Sequence, residues 1–120
     1  MAASDTFYVP QRGDIVRLNF TPQQGSEQAG ERPALVLSPR EFNAIRGLAV
    51  VCPITSQVKG YPFEVMLPPN VGATGVVLVD HVRSVDYEAR GAVRIGQCPK
   101  STLGEVTGKL LLLIGVERRR

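Results

Sequence analysis

Two short polar stretches in this chain carry side chains that can do chemistry, and both border apolar runs. The first lies within Gly25–Ser38 and holds Glu27, Gln28, Glu31 and Arg32. Arg32 directly precedes Pro33, which biases its backbone to an extended conformation. It stands at the mouth of the uncharged run Ala34–Leu37, so its side chain can be aimed at a ligand at little entropic cost. The second stretch, Thr55, Ser56, Gln57 and Lys59, follows the apolar run Leu48–Ile54. If the two runs are neighbouring strands, an arginine, a hydroxyl and a lysine converge. That set suits a phosphodiester, because cations stabilise developing negative charge and a hydroxyl donates to a phosphoryl oxygen. The plainer alternatives are that Glu27, Glu31 and Arg32 pair in a solvated loop, and that Thr55 merely ends a strand.

Other chemistries find less support. His81 is the single histidine, so a two-histidine ribonuclease scheme cannot be built within one chain. There is no G-x-S-x-G elbow and no Walker phosphate loop. Asp14, Asp80 and Asp86 are not grouped for a cation. One histidine with two distant cysteines, Cys52 and Cys98, does not make a structural zinc site. No metal or cofactor is therefore expected. Both cysteines follow apolar runs, which predicts buried thiols in a reducing cytoplasm. His81 reads as a packed or interface residue, and Tyr61 either stacks on a base or packs beside Pro62.

The net charge of +3 is unevenly placed. Without Arg118, Arg119 and Arg120, the remaining 11 Lys and Arg balance 11 Asp and Glu. Any phosphate site must come from local placement of a few cations rather than global basicity. No apolar run approaches the roughly 20 residues that span a bilayer. The N-terminus lacks the basic and apolar regions of a secretory signal.

The elements that must position these residues can be read along the 120-residue chain. Residues 1–12 form a polar arm, residues 13–115 a single domain, and residues 116–120 a basic tail. Asp14–Phe20 alternates as a half-buried strand, with Val16, Leu18 and Phe20 inward and Ile15, Arg17 and Asn19 on the other face. A second strand runs from Pro33 or Ala34 to Leu37. Ser38-Pro39-Arg40-Glu41 has the form of a capping box with proline at the first helical position. It predicts a helix over Pro39–Arg46, with Phe42 and Ile45 inward and Gly47 as its stop. Strands follow at Leu48–Ile54, Phe63–Leu67, Gly75–Val79 and Ala92–Gly96, with Asp80–Val85 as an extended continuation. Thr102 and Glu105 suggest a second capping box. Leu103, Val106, Leu110, Leu113 and Ile114 recur at helical spacing, predicting a helix over about Lys100–Ile114, weakened by Gly104 and Gly108 and stopped by Gly115. Short strands with two helices in so few residues suggest a strongly bent antiparallel sheet or small barrel.

Gly13-Asp14-Ile15, the long segment Gly25–Pro39, Pro53-Ile54-Thr55-Ser56-Gln57 and Lys59-Gly60-Tyr61-Pro62-Phe63-Glu64 together resemble the MazF/PemK family of toxin endoribonucleases. The resemblance continues through Asp80, Val82-Arg83-Ser84, Ala89-Arg90-Gly91-Ala92 and Leu113-Ile114-Gly115. It implies a mainly β, SH3-like small barrel of antiparallel strands with a short internal helix and a C-terminal helix. It also implies a cytoplasmic homodimer with no membrane association. The implied activity is metal-independent cleavage of single-stranded RNA, restrained by a cognate MazE-like antitoxin with which the toxin also binds DNA. By motif position, Arg32 and Thr55 resemble the catalytic pair, and Glu27 an acidic position that could serve as base. Gln28, Ser56, Gln57, Lys59, Tyr61, Asp80, His81 and Arg83 become candidate RNA contacts. His81 stands where glutamine is common in the family, which bears on base preference rather than on the cleavage centre. A non-catalytic CcdB-like inhibitor of a protein such as gyrase is the alternative on the same barrel.

Overall fold

The computed structural model describes residues 7–21 and 30–115. Its elements are β1 (Asp14–Asn19), β2 (Glu31–Val36), α1 (Arg40–Arg46), β3 (Ala49–Thr55), β4 (Glu64–Met66), β5 (Val76–Leu78), a 3₁₀ turn (Val79–His81), β6 (Arg83–Val85), β7 (Val93–Gln97) and α2 (Lys100–Leu113). Every strand pairing is antiparallel, in the order β4-β5-β3-β2-β1-β7, with β6 also on β3. β3 is the pivot. Its first residues, Ala49–Val51, pair with β6, and its last, Ile54 and Thr55, pair with β5. Splitting one strand between two partners bends the sheet into the small, open barrel that the short strands suggest.

Apolar residues fill both faces of the central strands. Val16, Leu18, Phe20, Ala34, Val36, Ala49 and Val51 form one buried cluster with Val85 and Tyr87. Ile15, Leu35, Cys52, Ile54, Val77 and Val79 form the other, beneath Val106 of α2. Ile15 is therefore buried, not on an outer face. The register of β1 against β7 shifts between Ile15 and Val16, and α2 covers the face on which Ile15 stands. Arg17 and Asn19 are exposed as expected.

Several local expectations are corrected. Glu31 and Arg32 belong to β2 rather than to the loop before it. Pro33 sits inside that strand opposite Arg17, one residue before the ladder to β3 begins at Ala34, so its missing N–H is not needed there. In α1 the N-cap is Pro39, and no side chain caps the helix. Ser38 Oγ instead donates to Asn43 Oδ1 at 2.6 Å and accepts from the Val50 N–H at 2.8 Å. Asn43 is the buried residue of α1, donating to the Pro10 and Ser38 carbonyls at 2.8 and 3.1 Å. That polar anchor turns the helix so that Phe42 and Ile45 are 40% and 82% exposed, not inward. Gly47 ends the helix in the left-handed conformation at φ 68°. The 3₁₀ turn interrupts what reads as an extended run over Asp80–Val85. At α2 the N-cap is Pro99, again without a side-chain cap. Thr102 lies inside the helix and is buried, so no second capping box forms. Val106 is buried, but Leu113 and Ile114 are exposed.

Candidate active site

The end of β3 organises the site. Ala34↔Pro53, Leu35↔Cys52 and Val36↔Val51 set the β2–β3 register. Arg32 lies near the start of β2, two residues before that ladder begins, and Thr55 closes β3, two residues beyond its last pair. On the other edge of β3, Thr55 pairs with Val76 of β5. Thr55 is thus held by β5 and is only 7% exposed. Its Oγ1 accepts the Gln57 N–H at 3.1 Å, a local turn that starts the next segment. Arg32 is half-buried at the start of β2, opposite Leu18 of β1.

Thr55 opens into a cleft of about 320 Å³ lined by Gln57, Lys59, Tyr61, Glu64, Leu78, Asp80 and His81. One wall is the irregular segment after β3. The other is the end of β5 with the 3₁₀ turn. Lys59 Nζ lies 6.0 Å from the centroid of the Tyr61 ring, and Tyr61 is exposed rather than packed away beside Pro62. A base entering here would meet an exposed aromatic face flanked by a cation, an arrangement suited to stacking. The lining itself carries one lysine against the carboxylates of Glu64 and Asp80. The Asp80 charge also acts inward. Together with burial, which is the larger cause, it pushes the Cys52 thiol up to about 12. Cys52 and Cys98 are both buried and unpaired, as their contexts predict.

Six of the candidate residues, Thr55, Gln57, Lys59, Tyr61, Asp80 and His81, meet in this one cleft. Ser56 is exposed just outside it. Arg83 is turned elsewhere, its guanidinium 5.6 Å over the ring of the fully buried Phe20. Glu27 and Gln28 lie outside the described residues. The structure adds Glu64 and Leu78 to the lining. Glu64 had a readable signal: an acid a few residues after a Gly60-centred turn is well placed to accept backbone N–H bonds. Leu78 had none, since it reads as one more residue of a buried strand. Among the described residues no three of His, Cys, Asp or Glu group to hold a metal ion.

Known proteins resemble this chain in sequence and fold. Residues 11–114 match the family described as PemK-like, MazF-like toxin of type II toxin-antitoxin system. The endoribonuclease toxin MazF of Escherichia coli K12 is 45% identical over 108 residues, covering 90% of this chain and 96% of that protein. The endoribonuclease PemK of Escherichia coli is 36% identical, covering 87% and 81%. Among solved structures, MazF from Deinococcus radiodurans superposes with a TM-score of 0.88 at 55% identity, covering 92% of this chain and all of that one. A MazE–MazF structure from the same organism superposes with a TM-score of 0.83 at 54% identity and the same coverage. With the fold and nearly the whole sequence in agreement, this chain belongs to the PemK-like, MazF-like toxins of type II toxin–antitoxin systems.

Proposed function

We propose that this chain is an endoribonuclease toxin that cleaves single-stranded RNA without a metal ion, leaving a 2′,3′-cyclic phosphate and a 5′-hydroxyl. The observation that carries the reading is that Thr55 opens into a cleft holding an exposed tyrosine and a lysine, while Arg32 stands near the start of the neighbouring strand β2. The nucleophile is the substrate's own 2′-hydroxyl, so no activated water is required. The bond from the 2′ oxygen to phosphorus forms while the bond to the 5′ oxygen breaks. The 2′ proton passes to a base, and the leaving oxygen gains a proton.

Arg32 clamps the phosphoryl oxygens with a charged, planar fork. Arginine stays protonated in proteins, so it stabilises charge rather than acting as the base. Thr55 accepts from the Gln57 N–H, which leaves its own hydroxyl proton for a non-bridging oxygen. Glu27 is the proposed base. Gln57, Lys59, Tyr61, Asp80 and His81 contact the RNA from the cleft walls, with Ser56 exposed beside them; Gln28, outside the described residues, is a further proposed contact, whereas Arg83 is turned to Phe20.

The partners follow from the same reading. A MazE-like antitoxin restrains the activity, in line with the solved MazE–MazF structures. A second copy of the chain covers the apolar side chains left exposed on the two helices, among them Phe42, Ile45, Leu111, Leu112 and Ile114. Unpaired buried thiols are consistent with a cytoplasmic setting, and no helix among the described residues is long and apolar enough to cross a membrane. The CcdB-like alternative is not favoured, since the relatives that cover this chain are named endoribonucleases.

The test is incubation of the purified protein with a long single-stranded RNA in EDTA, followed by end-group analysis. Cyclic-phosphate and 5′-hydroxyl ends are expected. Strict magnesium dependence, or 3′-hydroxyl products, would overturn the mechanism.

A further inference from the structure

The segment between β3 and β4 forms a wall of the cleft but contains neither strand nor helix. Backbone N–H groups in such a segment need side-chain or solvent partners, and without fixed ones the wall has no single shape. Here one side chain supplies them. Glu64 Oε1 accepts the Lys59 N–H at 3.2 Å and the Gly60 N–H at 2.9 Å, and Oε2 lies 3.3 Å from the Lys59 nitrogen. The Glu64 N–H in turn donates to the Tyr61 carbonyl at 3.1 Å. Gly60 has φ +81°, a left-handed conformation that glycine adopts freely. It lets two successive N–H groups turn onto one carboxylate.

The wall is tied down at two further points. Lys109 of α2 donates from Nζ to the Pro62 carbonyl at 2.6 Å. Glu64 itself is fixed in β4 opposite Leu78 of β5, and Leu78 leads directly into the 3₁₀ turn of the facing wall. One residue therefore couples the geometry of both walls. A carboxylate in a cleft for a polyanion repels the ligand. Here that charge is committed to the Lys59 and Gly60 backbone donors.

We propose that Glu64 is a positioning residue for substrate recognition: its carboxylate sets the loop conformation in which Lys59 and Tyr61 reach the RNA, and it takes no proton in the reaction. The proposal rests on the reading of the cleft as the RNA site.

The test compares Glu64→Ala, Glu64→Gln and Lys59→Ala, alone and combined, with amide hydrogen exchange as a readout that needs no RNA. In Glu64→Ala the Lys59 and Gly60 amides should exchange at least about tenfold faster, as expected for loss of a hydrogen bond to a charged group. The KM for a short single-stranded RNA should rise by about the same factor, with kcat within about threefold. Lys59→Ala should add little to Glu64→Ala, because Glu64 acts through that residue. Glu64→Gln keeps one carbonyl acceptor, so it should fall between and retain the wild-type pH profile. Should Glu64→Ala not fold, Glu64→Gln carries the same readouts at smaller amplitude. A lost limb of the pH profile in Glu64→Gln, or a fall in kcat at unchanged KM, would assign Glu64 to proton transfer and overturn the proposal. Full additivity with Lys59→Ala, or unchanged amide exchange, would overturn it too. A wild-type protein that does not cut RNA would refute the activity instead, while the exchange data still decide whether Glu64 holds the loop.

Discussion

Arg32 and Thr55 carry different risks when changed, because they are embedded differently. Arg32 is half-buried near the start of β2 and Thr55 is buried at the end of β3. Truncating Thr55 removes a hydroxyl and a methyl from a strand end, a modest structural loss. The catalytic loss should be much larger, since one preorganised donor to a developing oxyanion is worth about 10²–10³ in rate, or roughly 3–4 kcal/mol. Arg32→Ala should lose at least as much, and Arg32→Lys should rescue poorly for want of the planar fork. Single-turnover cleavage paired with thermal melting decides this; a normally melting Arg32→Ala that cuts at near wild-type rate refutes the assignment. His81 is a separate case. It lines the cleft on the 3₁₀ turn, facing the loop wall across from Lys59 and Tyr61. His81→Gln should cut within a few-fold of the wild-type rate but at a changed set of sequences, read by mapping cleavage ends. Abolished cleavage in a folded variant would mean that the proton-transfer group is His81.

The hairpin of β4 and β5 acts on Thr55 through backbone contact. Gly75, just before β5, has φ +111°, and a Cβ added there would lie 2.0 Å from the Thr55 carbonyl oxygen and 2.8 Å from the Ser56 Cα. Neither atom belongs to a flexible side chain, so relief requires the strands to move apart. Gly75→Ala should therefore destabilise the fold by at least about 2 kcal/mol. It should also reduce single-turnover cleavage in the fraction that remains folded, because the displaced atoms belong to the strand end that carries Thr55, the proposed donor. Urea unfolding checks the first effect and cleavage under native conditions the second. An unchanged urea midpoint would show that the contact relaxes without cost. The same logic places Gly96 against the Val71 carbonyl, where an added Cβ would be 1.7 Å away.

Across the whole molecule, the segment before β1 is latched to both β1 and β7 by one buried carboxylate. Asp14 is 2% exposed and accepts the Tyr8 hydroxyl, the Gln11 N–H at 3.1 Å and the Arg94 guanidinium at 3.3 Å. Burial, reinforced by the Asp14 hydrogen bond and charge, raises the Tyr8 phenol above its usual range. In the unfolded chain the phenol titrates near its ordinary value of about 10. The folded state thus binds more protons above that pH. The contribution of Tyr8 is complete below pH ~10 and is lost as the pH rises further. Tyr8→Phe should cost about 1.5–3 kcal/mol at neutral pH, towards the lower end because the site is half-exposed, and should flatten the alkaline decline. Urea midpoints between pH 7 and 11 test both parts. Some decline should persist, because burial also raises the Tyr87 phenol, helped by the charges of Glu88 and Asp86. An equally steep decline in Tyr8→Phe would show that the latch does not titrate.

Much of this protein is determined by local pattern. The alternation in Asp14–Phe20, the apolar runs of β2 and β3, the helical recurrence around Val106 and the stop at Gly47 are properties of a few neighbouring residues, and each yields its element. The long Gly25–Pro39 segment and the Thr55 and Lys59 motifs carry the family by themselves. Tertiary structure decided what depends on partners distant in the chain. The inward residue of α1 is Asn43 rather than Phe42 or Ile45, because hydrogen bonds to Pro10, Ser38 and Tyr87 outweigh an apolar spacing. Ser38 serves β3 rather than the cap of α1 because Val50 reaches it first in space, 12 residues away in sequence. Ile15 is covered by α2, about 90 residues later. Arg32 and Thr55 come onto neighbouring strands only through the β2–β3 pairing. Glu64 shapes its wall because two N–H groups and a helix lysine converge on one turn. Sequence periodicity reports which side of an element is apolar; which partner each polar group finds is settled only when the sheet has bent and brought them within hydrogen-bonding distance.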